Sequence, residues 1–217
     1  NPIRSRQYSG LRIMDAKRNG AHVVVVDPVF RDIGAKADLW VPVRPGTDGA
    51  LAMGLTNLMF ESGKFMKAHD MLCRWTNAPF LIDADTMMMM READLIEGGN
   101  DEHYIVWDEK TGKPASWAPE YEQFDHEGVE PALMGEYELT LKDGTKKVCK
   151  TALETYKGMV AEWTPEKVSA VTWTPKEKIL QMFDIITNPT DDKPSLLTAY
   201  LGACMMTSNA LQSGRAI

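Results

Sequence analysis

The sequence predicts an α/β fold, an open sheet with helices on both faces and a β-rich insertion. Three observations predict it. Val23-Val24-Val25-Val26 is a continuous run of β-branched residues, the composition of a buried strand, and it breaks at Asp27-Pro28, where proline has no N–H to continue a ladder. A second apolar strand, Leu39-Trp40-Val41-Pro42-Val43, ends in Arg44-Pro45-Gly46-Thr47-Asp48-Gly49 and turns straight into an apolar helix. Two strand ends that each deliver an acidic residue and a tight turn describe the nucleotide crevice of a Rossmann-like sheet, where ligands lie outside the carboxyl ends of the strands.

Tyr8 to Asn19 is the first helix. Leu11, Ile13, Met14 and Ala16 supply its apolar face, Lys17 and Arg18 suit its C-terminal dipole, and Gly20 stops it. The strand at 22–26 follows almost at once, the helix-to-strand rhythm of an α/β layer. Arg31 to Ala37 connects it to strand 39–43. The next helix, Ala50 to Phe60, carries Leu51, Leu55, Leu58 and Met59 on one side, with Asp48 or Thr47 as its N-cap.

From about Lys67 the pattern turns to short strands. Thr76 to Leu81 is a loop entering a strand, and the four methionines Met87 to Met90 suit packing filler, being flexible and polarizable. Tyr104-Ile105-Val106-Trp107 is a strand followed by a turn. Tyr137 to Leu141 and Lys146 to Lys150 flank Asp143-Gly144, a hairpin signal because the turn needs a positive φ. Helices resume at 152–162, 165–170 and 175–186, the last with Thr174 as its cap. Asn188 to Pro194 is polar and proline-bounded, the best linker. Strand 196–201 and a helix from Ser208 follow. The domains expected are residues 1–189, with the insertion at about 67–150, and 190–217 as the start of an adjacent α/β domain.

At 217 residues the chain has ample length for a core. A net charge of −7 with no basic run argues against nucleic-acid binding. No stretch approaches the roughly 18 apolar residues of a membrane span. Three cysteines lie far apart and suggest neither a CxxC metal site nor a disulfide framework. The first residue is asparagine, and the last four, Gly214-Arg215-Ala216-Ile217, read as mid-helix. The chain is therefore expected to be a piece of a longer polypeptide, whose localisation this piece does not reveal.

The segments Asn1-Pro2, Val26-Asp27-Pro28-Val29-Phe30-Arg31, Ala35-Lys36-Ala37-Asp38-Leu39-Trp40 and Arg44-Pro45-Gly46-Thr47-Asp48-Gly49-Ala50-Leu51 stand in a characteristic order and spacing. In these the chain resembles the dimethyl sulfoxide reductase family of molybdopterin oxidoreductases, and weaker similarity runs through Trp163-Thr164-Pro165-Glu166 to the end. The middle (76–81, 104–112 and 131–137) resembles the branch holding acetylene hydratase, pyrogallol transhydroxylase and catechol dehydroxylases. The resemblance implies a molybdenum or tungsten bis(molybdopterin guanine dinucleotide) cofactor, a small-molecule substrate and an iron–sulfur electron-transfer subunit as partner. It also implies a 4Fe-4S cluster upstream of Asn1. The metal ligand and cluster cysteines would lie there too, so this piece alone is expected to be inactive.

Site residues follow from the same resemblance. Guanine offers a ring N–H and an exocyclic amine side by side, and one carboxylate accepts both. The family's Gly-Thr-Asp turn makes Asp48 that carboxylate, with Gly46 and Thr47 beside the nucleotide; the alternative is that Asp48 only caps its helix. Asp27, Pro28, Val29, Phe30 and Arg31 would line the nucleotide end of the cofactor, Arg31 reaching a pyrophosphate through its planar fork or, alternatively, pairing with Asp32 or Asp38. Asn1 and Pro2 match the end of a phosphate-facing loop. Gly202 and Met205 lie in a loop where the family again touches the cofactor, although here Ala203-Cys204-Met205-Met206-Thr207 replaces the usual polar pair. No catalytic residue and no metal ligand is assigned, and the four histidines are given no role. The rival readings are a stand-alone nucleotide-binding protein, which would need a Gly-x-Gly-x-x-Gly turn where Asp27-Pro28-Val29-Phe30 stands, and a ligand-free structural domain.

Overall fold

The structure, a computed structural model, describes residues 7–187. Asn1, Pro2, Gly202, Met205, the linker at 188–194, the strand at 196–201 and the helix from Ser208 lie outside the described residues. In chain order the elements are α1 (Gln7–Arg18), β1 (Val24–Val26), β2 (Leu39–Val41), α2 (Asp48–Ser62), α3 (His69–Trp75), β3 (Leu81–Asp83), α4 (Glu92–Leu95), β4 (Tyr104–Asp108), β5 (Lys113–Ala118), β6 (Gln123–Phe124), β7 (Glu136–Thr140), β8 (Lys146–Thr151), α5 (Ala152–Val160), α6 (Pro165–Thr172) and α7 (Lys176–Thr187). The class is α/β, as the alternation of apolar runs implies. Two compact units share the chain, one of residues 1–64 and 160–217, the other Phe65–Met159.

In the first unit β1 and β2 run parallel, with Val24 opposite Leu39 and Val26 opposite Val41. Alternation along β2 sends Leu39 and Val41 inward. They meet Leu51 of α2, Val168 of α6 and Ile179 of α7 in one buried cluster, with Val24, Leu55, Leu58, Trp163, Met182 and Ile185 packed around it. Burying each such aliphatic side chain is worth about 1.5–3 kcal/mol, so these residues dominate the unit's stability. The Ala, Leu and Met that fill α2 are strong helix formers.

The second unit is antiparallel. One sheet has the order β3-β8-β7 and the other β4-β5-β6. Leu81, Met90, Ile105, Leu139 and Cys149 form its core, over which Trp107 and Tyr137 stack at 4.6 Å. The hairpin read at Asp143-Gly144 joins β7 to β8, and Gly144 takes the positive φ of 82° that the turn requires. The β4–β5 turn is built on Asp108, which is fully buried. Its carboxylate accepts from Thr111 Oγ1 at 2.7 Å, Lys110 N at 3.1 Å and Glu130 N at 3.0 Å.

Several local expectations are corrected. Val26 is exposed and Val24 and Val25 only half-buried, because β1 has a strand neighbour on one side only among the described residues. Leu11 is exposed, and the inward side of α1 is carried by Ile13 and Met14. Of the four methionines only Met90 is core. Met87 and Met88 are exposed at a turn that leads β3 back on itself, with Met87 N donating to Asp83 O and Met90 N to Leu81 O. Thr174 does not cap α7; its hydroxyl donates to Pro42 O instead.

Two outcomes follow from this packing. A Cβ on Gly54 would stand 2.4 Å from Val168 Cγ2, so Gly54→Ala should destabilise by about 1–3 kcal/mol despite alanine's better helix propensity. Thermal melts should show Val168→Ala recovering part of that loss in the double variant, and an unshifted midpoint for Gly54→Ala would refute the close approach. The second concerns acid. Burial pushes the Asp108 carboxyl up, but the Thr111 hydroxyl, the N–H groups of Glu130 and Lys110, and His126 more than offset it and hold it at about 2. With the folded value below the ordinary 3.8, its contribution is present above pH 3.8 and is lost as pH falls through about 2. Melts between pH 5 and 2 should therefore show a shallower acid limb for Asp108→Asn than for the wild type.

Candidate functional site

Because β1 and β2 are parallel, their carboxyl ends open on the same edge of the sheet, and the two turns that leave them form the candidate site. Asp27 closes the first. Its N–H donates to Val41 O at 3.2 Å, one residue beyond the ladder, and its carbonyl accepts from Trp40 Nε1 at 2.9 Å. Its Oδ1 accepts from Val29 N at 2.8 Å, a side chain imitating a turn of backbone. Pro28 then ends the pairing. Phe30 sets its ring edge-on to Trp40 with centroids 5.2 Å apart, and Val29 and Phe30 are both exposed. Arg31 is exposed, and its guanidinium makes no hydrogen bond or ion pair among the described residues. Asp38, one of the acids available to it, is bonded instead to Lys17 at 2.7 Å and to Val23 N at 2.8 Å.

The second turn is written plainly in the sequence. Pro45 and Gly46 occupy the central positions of a turn closed by Thr47 N donating to Arg44 O at 3.1 Å. Gly46 supplies the φ of 82° that the third position of such a turn needs. Thr47 stands at the N-cap of α2, yet its hydroxyl donates back to Arg44 O at 2.7 Å and caps nothing. Asp48 is the first residue of α2, half-buried, and its carboxylate accepts no hydrogen bond and joins no ion pair among the described residues. The helix start favours an anion there, so the charge sits comfortably while its lone pairs stay open. A cap would spend them on backbone N–H groups, and this geometry does not.

A clamp that sequence reasoning missed fixes this turn from behind. Arg44 N donates to Thr172 O at 2.8 Å, and Thr174 Oγ1 donates to Pro42 O. Thr172 and Thr174 are fully buried, and the exposed Trp173 between them holds φ at 62° beneath the Arg44 guanidinium, 5.2 Å from its ring centroid. Lys178 donates to Trp40 O and lies over the Trp40 ring, bracing the first turn. The sequence signal is a Trp-Thr-Pro that occurs twice, at 163–165 and 173–175, ahead of the helices expected at 165–170 and 175–186.

Other polar groups gather elsewhere. A basic hollow of about 410 Å³ lined by Met14, Lys17, Arg18 and Lys36 opens at the amino ends of the strands, away from the crevice. In the second unit His103 sits between Glu120 at 2.8 Å and Glu92 at 3.1 Å, and the hydrogen bond to Glu120 leads the influences that raise its pKa. That pairing was not legible from isolated histidines. Among the described residues no group of three or more His, Cys, Asp or Glu could hold a metal ion, and no helix is long and apolar enough to cross a membrane.

The geometry predicts that Trp40→Phe, which keeps the ring under Phe30 but removes the N–H to Asp27 O, loosens the first turn at a cost of about 1 kcal/mol. Hydrogen exchange at Val29 should quicken in that variant, and unchanged protection would disprove the brace.

The molybdopterin oxidoreductase family model matches residues 1–192. The chain is 30% identical over 206 residues to perchlorate reductase subunit alpha of Dechloromonas aromatica, a match covering 84% of this chain and 22% of that protein. It is 34% identical over 176 residues to dimethylsulfide dehydrogenase subunit alpha of Rhodovulum sulfidophilum, covering 79% and 19%. With dopamine dehydroxylase of Eggerthella lenta it shares 29% over 240 residues, covering 76% and 23%. The chain thus spans about a fifth of the length of these relatives.

Proposed function

This chain belongs to the molybdopterin oxidoreductase family, and we propose that it is the part of a molybdenum or tungsten catalytic subunit that binds the guanine dinucleotide end of the cofactor. The observation that carries the reading is the Asp48 carboxylate, half-buried at a helix start with its lone pairs unspent among the described residues. The available groups fit a nucleotide: an acceptor pair for the two guanine donors at Asp48, a close backbone approach at Gly46 and Thr47, and at Arg31 a guanidinium, without a partner among the described residues, for a pyrophosphate. Asp27 holds the segment through Arg31 in place. Asn1, Pro2, Gly202 and Met205 join the site in this proposal by resemblance. The relatives are named for unlike compounds, perchlorate, dimethylsulfide and dopamine. What a shared fifth of each chain has in common is therefore better read as cofactor binding than as substrate choice.

When bound, the cofactor supplies the redox or oxygen-transfer chemistry, and this chain binds and orients it. Two of the relatives are named as alpha subunits, which supports a partner subunit, on this reading an iron–sulfur electron carrier, with a 4Fe-4S cluster in the upstream part of the same polypeptide. The compact unit Phe65–Met159 supports an insertion at about 67–150 within a binding domain of residues 1–189, with an adjacent domain beginning at 190.

The test is made in the full-length enzyme. Asp48→Asn turns one acceptor into a donor facing a donor and should cost about 2–4 kcal/mol of cofactor affinity. Molybdenum and guanine nucleotide per folded enzyme should fall together. Full occupancy in Asp48→Asn, with only a lowered melting temperature, would remove the guanine assignment.

A further inference from the structure

We propose that Trp173 is a second binding residue of the same crevice, its indole serving as the stacking surface for the purine ring whose edge Asp48 reads. The proposal rests on the Asp48 reading and adds to it the group that sets the plane of the base. Four observations carry it. Trp173 occupies the C-cap of α6 in the left-handed conformation, φ 62°, a position that ordinarily belongs to glycine because a side chain there is strained. The residue is nevertheless 69% exposed, so the strain is not offset by burial in the unit's core. The backbone that carries the ring is pinned on both sides, since Thr172 and Thr174 are fully buried and bonded, Thr172 Oγ1 to Val168 O and Thr174 N to Thr172 Oγ1. Finally, the residue over one face of the indole is Arg44, which opens the Arg44–Thr47 turn leading directly into Asp48.

Chemistry selects the occupant. A carboxylate fixes which base is bound through its edge, but edge contacts alone leave the base free to tilt, and an aromatic face removes that freedom. An arginine over the same indole adds a cation beside the stack. The Trp173 indole N–H has no partner among the described residues, so the side chain is not held there by a hydrogen bond of its own. Another segment of the longer polypeptide covering the ring is the competing occupant.

The experiment uses full-length enzyme freed of cofactor, with GDP and ADP as probes, and compares wild type, Trp173→Gly, Trp173→Phe and Asp48→Ala. Stacking is indifferent to which purine is bound, so Trp173→Gly should raise the Kd of both nucleotides about ten-fold without changing their ratio. Its melting temperature should hold or rise, because glycine suits the left-handed position. Trp173→Phe, which keeps a ring, should retain most of the affinity. Asp48→Ala should instead collapse the preference for GDP. Wild-type affinity in Trp173→Gly for both nucleotides overturns the stacking role, and a melting temperature lowered alongside it assigns the ring to a protein neighbour. A preference for GDP that survives Asp48→Ala, while Trp173→Gly weakens both probes, removes the guanine assignment and leaves the stacking role standing. Failure of the wild type to bind GDP overturns both.

Discussion

The N–H of Arg44 and the carbonyl of Thr172 lie 2.8 Å apart, and the placement of the turn that leads into Asp48 depends on that bond. It joins the turn after β2 to the end of α6, and the Thr174 hydroxyl repeats the join two residues along at Pro42. Between these bonds the chain closes the core of Leu39, Val41, Leu51, Val168 and Ile179. Apolar burial holds the helices together, but it is non-directional and does not decide where a loop points. The two polar bonds do. They aim the Gly46–Asp48 turn along the carboxyl edge of the parallel strands, and the proximity of Gly54 to Val168 lets α2 sit close enough to α6 for them to form.

Aspartates at strand ends recur in the chain with one local geometry. Oδ1 of Asp27 accepts from the N–H of Val29, that of Asp83 from Asp85, that of Asp108 from Lys110 and that of Asp143 from Thr145. Each carboxylate accepts from the backbone N–H two residues on, in place of a backbone carbonyl, and ends a strand or closes a hairpin. Asp83 adds an ion pair to it: the Lys147 ammonium and the Asp85 N–H hold its carboxyl down to about 2. Asp27 therefore has a structural occupation that it shares with three aspartates outside the crevice. Asp48 makes no such bond among the described residues. Of the two acids that the strand ends deliver, it is the one whose chemistry the fold leaves uncommitted, and this separates them more sharply than their positions in the sequence.

The parts of the fold legible in the sequence are those decided locally. The apolar runs gave β1 and β2, Pro45-Gly46 gave a turn with a positive φ, and Asp143-Gly144 gave a hairpin, because each depends on residues within a few positions of one another. Burial was less legible. Val26 and Met88 have the composition of core residues and are exposed, since exposure depends on what covers a residue and not on its own hydropathy. The clamp was out of reach for a different reason. Thr174 and Pro42 are 132 positions apart, and nothing in periodicity or spacing pairs a threonine before one helix with a proline after a distant strand. The doubled Trp-Thr-Pro was visible, but its first copy caps a helix, Thr164 accepting from Lys167 N, whereas its second turns the hydroxyl to another element.

Every buried side-chain nitrogen or oxygen among the described residues has a hydrogen-bond partner. That completeness gives meaning to the groups that lack one at the carboxyl edge of the first sheet. A chain that pairs Asp108 three ways, and braces Trp40 with Lys178, has the means to satisfy a carboxylate at the start of α2. Thr47 could have capped that helix with its side chain and instead donates its hydroxyl backward, leaving the Asp48 carboxylate without a partner among the described residues. Trp173 breaks the local rule for its backbone position without gaining burial. Departures from local consistency tend to mark sites where binding, and not folding, set the residue. Here the departures fall on two turns tied by a single clamp, which makes one ligand surface a more economical reading than three unrelated accidents.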